Sequence, residues 1–138
     1  MIKVLFGVSD TQECRRAIDT IVKFFGDRKD VELTLLHVSQ DIVVYAQSGV
    51  VNYETIENIE HEKSNEILNE FDQSFKENGL VCQKILRTGN PIDIMLEIAN
   101  EYDLLVIGAS ESSLLYRIFS SHQNSFVNSS PIPVLVAK

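Results

Sequence analysis

Five short strand-like runs punctuate this chain, at Ile2–Val8, Val31–Val38, Val81–Arg87, Leu104–Gly108 and Val134–Ala137, with helical periodicity in the stretches between them. The first, apolar and rich in β-formers, predicts a strand buried on both faces. A helix that returns the chain between two such strands makes them parallel and the crossover right-handed. The 138 residues suffice for one hydrophobic core. The alternation therefore predicts a single α/β domain over residues 1–138, a doubly wound (Rossmann-like) five-stranded parallel sheet with helices on both faces.

The helices are marked by their ends and their apolar stripes. Ser9 with Gln12, and Asp10 with Glu13, both stand at capping-box spacing, which predicts a helix start. Cys14, Ala17, Ile18, Ile21, Val22 and Phe25 follow at intervals of three and four, and Gly26 ends the pattern. The Ser39–Asn52 segment has no clean period and is long for a strand-to-helix connection, the length of a lid or a packing surface. From Tyr53 a charged helix turns Ile56, Ile59, Ile67, Leu68, Phe71 and Phe75 inward and stops before Gly79. Asn90 and Pro91 are placed to cap and open a helix whose inner face is Ile94, Met95, Ile98 and Ala99. A weaker helical pattern covers Ser121 to Asn128.

Charge and composition exclude several classes. A net charge of −8 with no basic stripe repels phosphate backbones, so no nucleic-acid partner is expected. No apolar run approaches the length of a membrane span, and the first strand begins at Ile2, so we expect a cytoplasmic protein with no membrane partner. Cys14 and Cys82 lack metal-binding spacing and read as reduced thiols in or near the core. His37 within a strand reads as a structural hydrogen-bonding group, and His61 as a solvated helix residue. His122 beside serines suggests a nucleophile and base, but adjacent helix residues do not face each other and no third group is spaced to help. We therefore expect no catalytic residue, no metal site and no enzymatic activity.

In open parallel sheets, ligands bind beyond the carboxyl ends of the strands, where the strand order reverses. With the first strand central, that place lies between Ser9-Asp10 and Gly108-Ala109. A receiver domain has a similar alternation, but Arg87-Thr88 stands where its phosphoacceptor aspartate would follow the third strand, which excludes that reading.

The opening IKVLFGVS with Ala17, LTLLHV in the second strand, Arg87-x-Gly89-x-Pro91, DLLVIGAS and the terminal PVLVAK together resemble the universal stress protein family over nearly the whole chain. The resemblance implies strand order 3-2-1-4-5. It also implies a homodimer in which the fifth strand, through Val134, Leu135 and Val136, pairs antiparallel with its twofold mate; an apolar edge strand needs such cover in any case. The ATP-binding branch of the family ends strand one in aspartate and carries G-x-x-G, followed nine residues later by Gly-Ser or Gly-Thr. Glycine permits close backbone approach to phosphate there, and a helix N-terminus donates hydrogen bonds.

Carried onto this chain, that pattern retains Gly108, but its second glycine falls on Glu111, its third on Ser121 and its hydroxyl residue on His122. The aspartate falls on Ser9, with Asp10 adjacent as a substitute. A carboxylate at Glu111 about 4 Å from a phosphate charge costs about 4 kcal/mol at an effective dielectric near 20, roughly a thousandfold in affinity. The candidate pocket is thus Val8, Ser9, Asp10, Val38, Gly108, Glu111, Ser121 and His122. The chain reads as closer to the UspA-type branch with a degenerate glycine motif: a non-enzymatic stress-response domain that does not bind ATP in the usual mode and needs no cofactor, acting through protein contacts or another ligand. The alternative is an ATP- or AMP-binding member with at most slow hydrolysis, using the serine hydroxyls and the free N–H groups at the Ser121 helix start.

Overall fold

The computed structural model describes residues 1–39, 53–108 and 129–138. Its elements in chain order are β1 (Ile2–Gly7), α1 (Gln12–Phe25), β2 (Val31–Ser39), α2 (Tyr53–Glu77), β3 (Cys82–Thr88), α3 (Pro91–Ala99), β4 (Leu104–Gly108) and β5 (Val134–Ala137). The strands form one sheet in the order β3-β2-β1-β4-β5, parallel at every pairing. The expected α/β architecture and strand order are therefore present. The expected helix from Ser121 to Asn128 and the Ser39–Asn52 connection beyond Ser39 lie outside the described residues.

Alternation along the strands sorts the core into two layers. Val4, Phe6, Leu33, Leu35 and Val106 face Ala17, Ile18 and Ile21 of α1 and Leu68, Phe71 and Phe75 of α2. Leu5, Leu36, Leu105 and Ile107 face the opposite way, toward Met95 of α3. Phe6 is fully buried between two rings, edge-on to Phe71 at 5.9 Å and to Phe75 at 6.1 Å between centroids. Such edge-to-face pairs add about 1 kcal/mol each to the burial of their area.

Two boundaries differ from the sequence reading. The cap of α1 is Thr11, whose hydroxyl accepts from Cys14 N–H at 3.1 Å; neither Ser9 nor Asp10 caps the helix. The third strand starts at Cys82 rather than Val81, which is 82% exposed just after the left-handed turn at Gly79 (φ +82°). By contrast, α3 begins as expected. The Asn90 side chain accepts from Ile92 and Asp93 N–H at 3.0 and 3.2 Å, with Pro91 in the first turn where a missing N–H is harmless.

The edge strand β3 is tied to α2 through a buried carboxylate. Asp72 Oδ2 lies 3.4 Å from Lys76 Nζ and 3.5 Å from Lys84 Nζ, while its Oδ1 is buried without a hydrogen-bond partner among the described residues. Lys84 also donates to Asn69 Oδ1 at 3.0 Å. Burial, with Asp72 close by, pushes the neighbouring Cys82 thiol up to about 12, so it stays protonated and poorly nucleophilic at neutral pH.

Candidate functional site

Three adjacent strand ends build the crevice. Beyond β1, Val8 continues the ladder by donating to the Leu36 carbonyl at 2.8 Å, which places it level with His37 and, across the other side, with Gly108. The Val8 carbonyl lies 2.8 Å from His37 Nδ1. A carbonyl only accepts, so Nδ1 carries the proton and His37 has the structural role expected of it. Val38, one residue further along β2, is half-buried on the α3 side of the sheet. Val8, Ser9, Val38 and Gly108 are thus brought together at the switch point; Glu111, Ser121 and His122 lie outside the described residues.

Ser9 is held by its own turn. Its N–H donates to Cys14 Sγ at 3.3 Å, its carbonyl accepts from Thr11 N–H at 2.9 Å, and its hydroxyl is 3.3 Å from that of Thr11. Cys14 in turn donates to the Gly7 carbonyl at 3.4 Å. Burial pushes the Cys14 thiol up, with hydrogen bonding from Ser9 and Gly108 offsetting part of the effect. This sulfur is a structural pin between β1, β4 and α1.

Gly108 explains how close α1 comes to the sheet. A Cβ built on it would sit 3.0 Å from Cys14 Cα and 3.3 Å from both Cys14 N and the Glu13 carbonyl oxygen. Those neighbours are backbone and cannot rotate away. Gly108→Ala is expected to lower the unfolding free energy by about 2 kcal/mol, read from urea denaturation; a loss below about 0.5 kcal/mol would show that α1 moves off the sheet freely.

Asp10 does not turn into the crevice. Its carboxylate is exposed and takes a hydrogen bond from Arg15 Nη2 at 2.7 Å, while Arg15 Nε donates to Glu70 Oε2 at 2.7 Å. The same guanidinium lies 5.9 Å from the Phe71 ring centre. Hydrogen bonds donated to Glu70 and Asp10 raise its already high pKa, so it is a permanent cation joining α1, α2 and the loop after β1. Sequence reasoning missed Thr11, Arg15 and Glu70. Arg15 and Glu70 are 55 residues apart, beyond any spacing rule, and no capping-box partner marked Thr11. Among the described residues, no group of three or more His, Cys, Asp or Glu side chains is arranged to hold a metal, and no helix is long and apolar enough to cross a membrane.

Comparison with known proteins decides the family. A model of the universal stress protein family matches residues 1–138. The chain belongs to the universal stress protein family. Two universal stress proteins from strains of Helicobacter pylori are each 49% identical to it over 137 residues, 99% of this chain and 100% of theirs. Among solved structures, a universal stress protein family protein from Arabidopsis thaliana with AMP bound is similar at a TM-score of 0.71 and 20% identity, covering 100% of this chain and 92% of that one. A universal stress protein in complex with cAMP is similar at a TM-score of 0.69 and 18% identity, covering 99% and 97%. At these identities, universal stress proteins of known structure attest the fold.

Proposed function

We propose that this universal stress protein serves stress adaptation without catalysis and without binding ATP in the usual family mode. The observation that supports the second part is the 2.7 Å contact of Arg15 with Asp10, which engages the exposed carboxylate adjacent to Ser9 and disfavours it as a stand-in for the aspartate missing from the end of β1. The sequence adds Glu111 where a glycine would approach phosphate, and Ser121 and His122 where the Gly-Ser or Gly-Thr pair would stand. A stress role follows from family membership, and the means of action are protein contacts or a ligand other than ATP.

Isothermal titration with ATP and Mg²⁺ at low salt tests this reading. No heat at millimolar ATP is the expected result, and low-micromolar affinity overturns it. Glu111→Gly combined with Ser121→Gly is expected to gain measurable ATP affinity; unchanged non-binding would put the obstacle at Ser9 or in the Ser39–Asn52 segment. A second reading, a nucleotide-binding member, is favoured by the AMP and cAMP held by proteins of the same fold. Titration with AMP and cAMP in the same series separates it, since either one binding while ATP does not would place a smaller nucleotide at Val8, Ser9, Val38 and Gly108.

We further infer a twofold dimer through β5. The strand lies at the end of the sheet order, and Val134, Leu135 and Val136 are only half-buried within the chain. An apolar edge of this kind favours closed pairing over open-ended association.

A further inference from the structure

Away from the crevice, a cavity of about 480 Å³ opens between the end of β3 and α3, lined by Arg87, Thr88, Ile94, Glu97, Ile98 and Glu101. Its lining includes none of Val8, Ser9, Val38 and Gly108, although Val38 stands opposite Arg87 in the sheet.

The chain builds this groove in a specific way. Cys82 and Leu86 of β3 pack into the layer under α1 and α2, whereas Ile85 packs into the layer under α3. Alternation therefore carries Arg87 to the α3 side. On α3, Ile94, Glu97 and Ile98 share one face, and Glu101 follows in the turn just after the helix. Between the two elements Gly89 adopts φ +141°, and a Cβ there would meet Ile94 Cδ1 at 3.0 Å, so the glycine lets Ile94 close against the turn.

The charges in the groove do not neutralise one another. Arg87 Nη1 donates to the Leu86 carbonyl at 3.2 Å, and among the described residues no ion pair within 4.0 Å joins Arg87 to Glu97 or Glu101. One cation and two carboxylates thus line a single cavity, held apart, with two isoleucines beside them. We propose that this groove binds a small zwitterion with an aliphatic spacer, its ammonium at Glu97 and Glu101, its carboxylate at Arg87, and its methylenes against Ile94 and Ile98. A ligand of this kind satisfies both signs at once. A simple amine would bring its charge without a partner for Arg87, and a simple carboxylate would face two like charges.

Amide-resolved NMR titration of the intact protein with 6-aminohexanoate, hexylamine and hexanoate tests the assignment. We expect 6-aminohexanoate to shift the amides of Thr88, Gly89, Glu97 and Glu101, with saturation in the millimolar range and affinity about tenfold above either single-charge analogue. Arg87→Met and Glu97→Gln each alter an exposed side chain; each should weaken 6-aminohexanoate about tenfold while the spectrum stays that of the folded protein. The proposal is overturned if hexylamine binds as well as 6-aminohexanoate, if Arg87→Met leaves its affinity unchanged, or if the zwitterion shifts no groove amide. Shifts at Val8, Ser9 and Gly108 instead would assign the ligand to the crevice and equally overturn it. ATP binding is read from heat with a different ligand, so the two titrations fail independently.

Discussion

Truncating Phe71 to alanine is expected to lower the unfolding free energy by about 4 kcal/mol, and the thermal midpoint by roughly 15 °C. The ring is fully buried, packs edge-on against Phe6, and carries the Arg15 guanidinium on its outer side. Alanine leaves a void bounded by a strand and a helix whose other contacts hold them in place, so collapse is limited. Phe71→Leu keeps most of the volume and should lose only about 1 to 1.5 kcal/mol. Urea denaturation separates the two, and near-equal losses would mean that the layer between sheet and α2 adapts to the change.

Val136→Pro is expected to convert the proposed dimer to monomer in sedimentation while leaving the chain folded. Leu105 N–H donates to the Pro133 carbonyl at 3.0 Å, and Leu105 is in register with Val134. In a parallel ladder this alternation points the N–H groups of Val134 and Val136 away from β4, toward the open edge. Proline at position 136 removes a donor that β4 does not use, a substitution tolerated at sheet edges. A charge at Leu135 would be a poorer probe, because that side chain packs against the core under α1 and α2. A dimer that survives Val136→Pro removes β5 from the interface.

β1, β4 and β5 are legible as short apolar runs, and α3 because Asn90 and Pro91 mark its start without reference to anything distant. The strand order came from a resemblance across many weak landmarks rather than from any single residue. What the sequence concealed depends on contacts between remote segments. Ser9 and Asp10 carry a capping-box pattern, yet the chain runs on to Thr11 before the helix begins, with Ser9 bound to the Cys14 sulfur. Position alone offers Asp10 to the crevice, whereas its carboxylate accepts from Arg15, which also binds Glu70 of α2. Apolar periodicity likewise gives no warning of Asp72, a carboxylate buried on α2 among phenylalanines.

That carboxylate bears on which alignment of β3 is permitted. Sliding an edge strand by one residue turns its apolar side chains to the wrong face, but a slide by two restores the faces, so the hydrophobic pattern tolerates it. In the observed alignment Lys84 stands opposite Leu35 and reaches Asp72. A slide by two residues would carry that ammonium several ångströms along the sheet and put Cys82 or Leu86 in its place. Asp72 would lose one of its two lysines, a change that costs about 1 kcal/mol for a pair whose lysine is partly exposed. The observed alignment is thus favoured by a single charge pair, at a place where the hydrophobic pattern alone accepts either arrangement.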